Sequence, residues 1–331
     1  MHIVITGGNG FIGQRFAKRL LERGDAIGGD GTKHELAKLV LFDVGAPPAG
    51  AQTDPRIEHI VGDIADRAVL ATVIGPSTAA VFHFGAVVSA GAEADFDLGM
   101  RVNLDGTRNV LEVCRGLPLT PRVIFASSLA VYGGALPNRI DDATPLYPQT
   151  SYGMHKACGE LFVSDYSRKG YIDGRALRFP TILVRPEPNL AASTFASTII
   201  REPLVGHDTS CPVSLNSVMA VMSVSRLMDC IERAYELPAD AFGAQRALLL
   251  PAISASVGEM IEAVRRVGGD AAAKRITLRP DAKTQHIVDG WPAGVNADRA
   301  VALGLEADAS VDEIVDTFVE NDLPMMLQAA R

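Results

Sequence analysis

The chain has 331 residues, of which 47% are hydrophobic, and its formal net charge is -8. A chain of this length buries a large core and holds one large domain or two. The acidic balance argues against a nucleic-acid or anionic-membrane surface, and no apolar run is long enough to cross a bilayer. Because the first predicted strand starts at His2, we expect no signal peptide.

The four cysteines are widely spaced and form no C-x-x-C pair. Two of them, Cys114 and Cys158, lie in helical patterns, and the seven histidines lack the spacing of metal ligands. This pattern predicts a cytoplasmic protein with reduced structural thiols and without a metal site.

The N-terminus reads as a strand, a glycine-rich turn and a helix. Residues 2–5 are an apolar run of strand type, and residues 14–23 repeat apolar side chains at helical spacing. Between them, Gly7 permits a sharp turn, Gly10 permits close approach of a pyrophosphate, and Gly13 permits tight helix packing. The first helical amides and the helix dipole favour phosphate at this point. The stretch therefore predicts dinucleotide binding.

A second strand, residues 39–42, ends on Asp43. An acid at this place accepts hydrogen bonds from both ribose hydroxyls of an adenosine and repels a 2′-phosphate, so NAD is favoured over NADP. The alternative is a solvated acid in a turn. The polar, glycine-rich residues 25–38 are predicted to be a surface loop.

Strands and helices alternate through residue 180. The predicted strands are residues 57–61, 79–84, 122–126 and 175–179, and the predicted helices are residues 67–74, 102–115 and 152–168. This order predicts an α/β fold with a doubly wound parallel sheet. Such sheets bind ligands at the carboxyl ends of strands, where Asp43, Asp63, Gly85 and Ser128 lie. Asp63 either meets the adenine edge or caps the helix that follows.

The pattern changes after Pro180. Helices are predicted at residues 193–201, 224–235, 257–267, 297–303 and 311–321, with a short strand at 247–250 and an irregular stretch at 205–218. We predict a dinucleotide-binding domain over residues 1–180, joined by a strand near 245–251. Residues 181–331 are predicted to form mainly a smaller, α-rich substrate-binding cap.

Tyr152 and Lys156 stand four residues apart, on one face of the predicted helix. A free tyrosine has a pKa near 10, and lowering it by about 3 units requires about 4 kcal/mol of preference for the phenolate. A lysine ammonium and an oxidised nicotinamide ring are cations that favour the phenolate. Ser128, at the end of a strand, is predicted to donate a hydrogen bond to the substrate oxygen, with Ser127 as the alternative.

With these motifs the chain resembles the extended short-chain dehydrogenases/reductases, the NAD-dependent epimerase/dehydratase family. The motifs that carry the resemblance are residues 6–13, Asp43, Gly62-Asp63-Ile64, His83-Phe-Gly-Ala86, Asn103, Ser128-Leu-Ala-Val-Tyr-Gly133 and Tyr152-Gly-Met-His-Lys156. The resemblance implies a Rossmann fold, a homodimer, and catalysis by Ser128, Tyr152 and Lys156, with Asn103 supporting the active-site helix. It implies NAD contacts at Gly7, Gly10, Phe11, Ile12, Gly13, Asp43, Asp63, Ile64, Phe84, Gly85, Ala86, Asn103, Tyr152, Lys156, Pro180 and Ile182.

The segment from Arg178 to Pro186 departs from the pattern of the nucleotide-sugar enzymes. It is similar to family members that oxidise the C2 hydroxyl of a four-carbon sugar acid. An acid substrate needs a guanidinium or a set of amide and hydroxyl donors, and Arg201 is the first candidate, with Arg185 second. The other candidate substrate residues are Ser89, Glu93, Ser128, Asn189, Ser193 and Ser197. The alternatives to a dehydrogenase are a nucleotide-sugar epimerase that retains NAD and an NAD-sensing regulator.

Overall fold

A computed structural model describes residues 1–51, 53–186 and 192–329. The chain divides into two compact units. The first unit consists of Met1–Val131, Thr150–Arg178 and Ile231–Leu248, and the second of Tyr132–Gln149, Phe179–Cys230 and Leu249–Arg331.

The strands are numbered in chain order. They are β1 His2–Thr6, β2 Asp25–Ile27, β3 Lys33–Glu35, β4 Lys38–Asp43, β5 Ile57–Val61, β6 Thr78–His83, β7 Arg122–Ser128, β8 Ile140–Asp141, β9 Asp173–Phe179, β10 Thr181–Leu183, β11 Thr209–Cys211, β12 Val218–Ser223, β13 Ala247–Leu249, β14 Ile253–Ser256, β15 Ile276–Leu278 and β16 Val295–Asn296.

The helices are numbered in the same way. They are α1 Phe11–Arg23, α2 Arg67–Val73, α3 Ser89–Ala94, α4 Phe96–Gly99, α5 Gly106–Arg115, α6 Ser151–Arg168, α7 Thr194–Leu204, α8 Val224–Glu236, α9 Val257–Ala273, α10 Ala282–Asp289, α11 Asp298–Ala302, α12 Val311–Asn321 and α13 Leu323–Ala329. A π-helical segment, Met100–Asp105, leads into α5, and Leu129–Val131 and Ala239–Phe242 are 3₁₀ turns. No helix in the described ranges is long and apolar enough to span a membrane.

The first unit is built on a seven-stranded parallel sheet in the order β13-β9-β7-β6-β1-β4-β5. Its central strands are apolar and buried on both faces, as expected for a parallel sheet covered by helices. The registers Ile5↔Leu41 and Ile5↔Phe82 bring the ends of β1, β4 and β6 to one edge. The predicted doubly wound sheet is therefore confirmed.

Residues 25–38 are not the predicted surface loop. Residues Asp25–Ile27 and Lys33–Glu35 form an antiparallel hairpin, and Ala26, Ile27 and Leu36 are buried. The amide of Ile27 donates to the hydroxyl of Tyr235. Because Tyr235 lies 208 residues away in the chain, its contribution was not visible in the local pattern of glycines and polar residues.

The second unit packs helices on three small sheets. A three-stranded sheet, β10-β12-β14, is accompanied by the pairs β11-β15 and β16-β8, and α9 begins with a capping box between Ser256 and Glu259. The predicted helices are present, but the irregular reading of residues 205–218 was wrong where β11 forms. Strands of two or three residues are too short to show alternation, and β12 is buried along nearly its whole length.

Candidate active site

The glycine-rich turn between β1 and α1 is fixed by close backbone packing. Gly7 has φ +69°, and a Cβ there would lie 2.7 Å from the Gly85 amide nitrogen. A Cβ on Gly13 would lie 2.3 Å from the Gly7 carbonyl oxygen, so side chains are excluded at both positions. A Cβ on Gly10 would meet the Gly7 carbonyl oxygen at 3.3 Å, a tight contact that backbone adjustment relieves more easily.

The start of α1 is suited to a pyrophosphate. Gly10 is its N-cap and supplies no side-chain acceptor for the first helical amides, and the first turn of the helix contains no acidic residue. Phe11 and Ile12 are the first two helical residues and are half-buried. The amides and the positive end of the helix dipole are complementary to a diphosphate. The loop therefore fits the pyrophosphate of NAD.

Asp43 lies where the resemblance expects the ribose-binding acid. It ends β4, and its two carboxylate oxygens accept hydrogen bonds from the amides of Asn9 and Gly45, both at 3.1 Å. Asn9 donates to the Gly45 carbonyl at 2.7 Å and lies 2.9 Å from Nδ1 of His59. Two backbone amides therefore orient the Asp43 carboxylate beside the glycine turn.

The other predicted NAD residues of the first unit surround the same sheet edge. Phe84, Gly85 and Ala86 follow β6, and the Gly85 amide donates to the Thr6 hydroxyl at 3.3 Å. Ile64 is buried. Pro180 and Ile182 belong to the second unit, where Ile182 lies in β10.

Asp63 does not cap α2. The N-cap is Asp66, whose carboxylate accepts from the amides of Ala68 and Val69 at 2.9 and 3.2 Å. Asp63 instead accepts from the Ala65 amide at 2.9 Å and pairs with Arg101. The Ala65 amide, followed by Arg101, lowers the pKa of Asp63. The interpretation of Asp63 as the helix cap was wrong, while its contact with adenine stays a prediction.

The two neighbouring serines at the end of β7 have different environments. Ser127 is buried, and its hydroxyl donates to Glu160 Oε1 at 2.6 Å. Ser128 is half-buried and accepts from the Ala130 amide at 3.1 Å, and its hydrogen bond with Tyr152 acts to lower the pKa of that phenol. Of the two serines, Ser128 is therefore the one that is hydrogen-bonded to Tyr152.

Tyr152 and Lys156 share one face of α6, which begins with the Thr150 hydroxyl accepting from the Gly153 amide at 3.1 Å. The Lys156 ammonium lies 5.5 Å from the centre of the Tyr152 ring and 4.8 Å from that of Phe125. Tyr152 and Lys156 share a helix face, as their spacing predicted, and Ser128 at the end of β7 is hydrogen-bonded to Tyr152.

The pKa values of this pair differ from the simple expectation that the lysine lowers the tyrosine pKa. Burial raises the pKa of Tyr152 to about 12, although the hydrogen bond with Ser128 opposes the rise. Burial also lowers the pKa of Lys156 to about 7. In the protein alone, desolvation is the dominant influence on both groups, so the phenolate requires further positive charge.

The low pKa of Lys156 predicts a rise in stability with pH. Between about pH 7 and pH 10 the unfolded chain binds the lysine proton that the folded chain has lost, so unfolding becomes more costly as pH increases. The rise amounts to at most about 1.4 kcal/mol per pH unit. Above about pH 10, the raised pKa of Tyr152 acts in the opposite direction.

Urea unfolding of the NAD-free protein at pH 7, 8 and 9, compared with Lys156→Met, isolates this contribution. We expect the free energy of unfolding of the wild type, relative to that of Lys156→Met, to increase as pH increases. Parallel pH dependences of the two proteins would contradict the assignment.

Asn103 joins the loop after β6 to helix α6. Its Oδ1 accepts from the Val87 amide at 2.7 Å, and its Nδ2 donates to the Val87 carbonyl at 2.9 Å. The same nitrogen lies 3.4 Å from Nδ1 of His155, the residue before Lys156. Asn103 is buried within the π-helical segment, a local distortion that is frequent at functional sites.

Two buried networks support the site and escaped the sequence reading. In the first, the His83 imidazole lies 2.7 Å from the Thr6 hydroxyl and 2.9 Å from that of Thr107, and Thr107 donates to the Asn103 carbonyl at 2.6 Å. Burial, followed by the charge of Lys156, lowers the pKa of His83 to about 3, so this imidazole is neutral. The network connects the glycine turn to the π-helical segment.

In the second network, Arg178 donates from Nε and Nη2 to the two oxygens of Glu160, at 2.9 and 2.7 Å. Glu160 also accepts from Ser127. The sequence did contain one signal for this network: Glu160 stands four residues after Lys156 on the same helix, which puts a carboxylate on the same face of α6 as Lys156.

The candidate substrate residues lie in both units. Ser89 is the first residue of α3 in the first unit, and the Glu93 carboxylate accepts from the Ser151 amide at 3.1 Å. In the second unit, Ser193 precedes α7, and Ser197 and Arg201 are buried within it. Asn189 lies outside the described residues.

Comparison with known proteins identifies the class. A model of the NAD dependent epimerase/dehydratase family matches residues 3–241. D-erythronate dehydrogenase of Cupriavidus necator is 49% identical, and the match covers 97% of this chain and 98% of that protein. D-erythronate dehydrogenase of Haemophilus influenzae is 39% identical, with coverage of 98% and 100%. A structure described as a nucleoside-diphosphate-sugar epimerase from Agrobacterium tumefaciens superimposes with a TM-score of 0.91 at 38% identity, covering 98% of this chain and 95% of that one.

These matches and the glycine turn define an NAD-dependent oxidoreductase of the extended short-chain dehydrogenase/reductase type. The chain belongs to the NAD dependent epimerase/dehydratase family. The resemblance stated from its motifs is thereby confirmed, and so is the prediction of NAD as the cofactor.

Proposed function

We propose that this protein oxidises the C2 hydroxyl of a small sugar acid, D-erythronate or a close relative, to the 2-oxo acid. The observation that carries the proposal is the 49% identity to a D-erythronate dehydrogenase over nearly the full length of both chains. We also propose that the enzyme acts as a cytoplasmic homodimer. The side chain of Leu161 on α6 is 67% exposed and offers apolar surface to a second copy.

In the proposed reaction, Tyr152 as phenolate takes the proton of the C2 hydroxyl. Ser128 donates a hydrogen bond to the substrate oxygen, and Lys156 stabilises the phenolate by its charge. Bound NAD supplies the hydride acceptor and, in its oxidised form, a positive ring. Because burial raises the pKa of Tyr152 to about 12 in spite of the Ser128 hydrogen bond, we infer that the phenolate forms efficiently only when oxidised cofactor is present.

The second candidate is a nucleoside-diphosphate-sugar epimerase that uses tightly bound NAD. It is favoured by the 38% identity to the Agrobacterium tumefaciens protein whose structure is described in those words. An epimerase returns the hydride to the substrate and releases no NADH, whereas a dehydrogenase accumulates NADH. The two reactions are therefore separable in one assay.

The test is NADH absorbance after the protein and NAD are mixed with C4 to C6 sugar acids, D-erythronate first. We expect a steady rise with at least one acid and a 2-oxo acid as product. No rise with any acid, combined with interconversion of a UDP- or TDP-sugar without net NADH, would replace the dehydrogenase by the epimerase.

Asp43 is the proposed determinant of cofactor choice. Replacing it with asparagine removes the negative charge that repels a 2′-phosphate and weakens the acceptor for the ribose hydroxyls. We expect Asp43→Asn to shift the ratio of kcat/KM for NAD over NADP towards NADP by about 10- to 100-fold. Steady-state kinetics with both cofactors measures the ratio. An unchanged ratio would mean that Asp43 is a solvated acid in a turn and does not determine cofactor choice.

A further inference from the structure

The glycine-rich turn of the first unit has one side chain, that of Asn9. Residues 7–10 read Gly-Gly-Asn-Gly, and Asn9 is half-buried. Its Nδ2 donates to the Gly45 carbonyl at 2.7 Å, and its Oδ1 lies 2.9 Å from Nδ1 of His59. This side chain therefore joins three segments of the first unit, which are the glycine turn, the residues after β4, and β5.

The donors and acceptors of this network determine one another. Because the Gly45 carbonyl only accepts hydrogen bonds, the amide of Asn9 faces it with Nδ2, and its Oδ1 is thereby turned towards His59. An amide oxygen also only accepts, so Nδ1 of His59 carries a proton and donates it. The neutral imidazole with its proton on Nδ1 and the imidazolium both meet this requirement. The contact is therefore kept in either charge state of His59.

The same network holds the Asp43 carboxylate. The main-chain amides of Asn9 and Gly45 donate to its two oxygens, both at 3.1 Å. His59 pairs in register with Leu41 of β4, and side chains two residues apart in a strand point to the same face of the sheet. His59 thus lies on the face to which Asp43 points, and the Asn9 side chain links it to both residues that hold the carboxylate.

We propose that His59 and Asn9 are positioning residues of the NAD site. His59 fixes the Asn9 side chain, and Asn9 holds Gly45 and, with it, the orientation of the Asp43 carboxylate. This inference rests on the proposed role of Asp43 in cofactor choice and adds the residues through which that role depends on β5. A carboxylate held in one orientation accepts from two ribose hydroxyls at a smaller entropic cost than one that rotates freely, and its fixed charge opposes a 2′-phosphate.

The test measures the affinities for NADH and NADPH by fluorescence titration of the whole protein without substrate. His59→Leu keeps similar bulk and removes the donor to Asn9. We expect this change to raise Kd for NADH by about 3- to 10-fold, which is the range of one hydrogen bond. We expect Kd for NADPH to stay the same or fall, so the preference for NADH decreases. Equal weakening of both cofactors would indicate a general structural defect and would overturn the proposal.

Two further variants test the route through Asn9 and Asp43. His59→Asn places an amide nitrogen at the position of Nδ1, and it is expected to restore most of the preference for NADH. In the Asp43→Asn background, His59→Leu is expected to change the ratio of the two Kd values by less than about twofold, because residues that act through one another are not additive. An equally large effect of His59→Leu in both backgrounds would overturn the route through Asp43.

His34→Leu is the matched control. His34 lies in β3, ahead of the start of β4, whereas Asp43 lies at the end of β4, so we expect the wild-type ratio of Kd values. Failure of the proposed role of Asp43 has a different signature, since Asp43→Asn then leaves that ratio unchanged. A shift of the ratio by Asp43→Asn but not by His59→Leu would overturn this inference and leave the role of Asp43 intact.

Discussion

Replacing Tyr152 with phenylalanine is expected to lower kcat by about 1,000-fold, within the range that general acid–base groups contribute. The substitution removes the only atom by which this side chain accepts a proton, and it keeps the ring that lies 5.5 Å from the Lys156 ammonium. Stopped-flow or steady-state measurement of NADH formation with D-erythronate gives the change in kcat.

The structure supplies a matched control on the same helix. The hydroxyl of Tyr166 donates to Glu112, and Tyr166→Phe removes a phenol oxygen from α6 away from Ser128 and Lys156. We expect Tyr166→Phe to retain wild-type kcat, and Tyr152→Phe to bind NADH within about threefold of the wild type. Full turnover by Tyr152→Phe would reject Tyr152 as the base.

The part of the site that the sequence predicted well is the part determined by local spacing. Three glycines at intervals of three residues specify a turn into a helix, and a tyrosine and a lysine four residues apart share a helix face. Each of these statements involves only neighbouring residues. The structure accordingly has the glycine turn between β1 and α1, and Tyr152 and Lys156 on α6.

The charge states of the same residues were not predictable in this way. A spacing of four residues suggested that Lys156 lowers the pKa of Tyr152, yet both side chains are desolvated by packing of α6 on β7. Burial depends on which elements meet in the fold, so it has no local signature. A similar reason explains the cap of α2, because Asp63 and Asp66 are both acids near the helix start and only the backbone geometry selects Asp66.

Contacts between distant residues account for the remaining omissions. Asn9 reaches Asp43 across 34 residues, and Arg178 meets Glu160 across 18. Such pairs arise when the fold brings separate elements together, Asn9 to the end of β4 and Arg178 of β9 to Glu160 of α6, and one sequence does not indicate which polar groups will meet.

The pair between Glu160 and Arg178 leads to the largest expected effect on stability. Both residues are at most 5% exposed, and Ser127 donates to the same Glu160 carboxylate. Glu160→Ala leaves a guanidinium buried without its carboxylate, so we expect a loss of about 3–5 kcal/mol in the free energy of unfolding. Urea unfolding at neutral pH measures the loss, and Asp165→Ala, which breaks an exposed pair with Arg168 on the same helix, is expected to cost less than about 1 kcal/mol.

A second variant separates the buried charge from the packing. Replacing both partners, as in Glu160→Met with Arg178→Met, removes the uncompensated guanidinium and is expected to recover most of the stability lost in Glu160→Ala. We do not expect kcat to recover with it, because Ser127 loses its acceptor in either protein and is bonded directly to Ser128 in the chain. Recovery of stability and turnover together would mean that Glu160 balances Arg178 without positioning the serines. Recovery of stability without recovery of kcat would mean that the Glu160 carboxylate has two roles. It balances the charge of Arg178, and through Ser127 it aligns Ser128 with Tyr152.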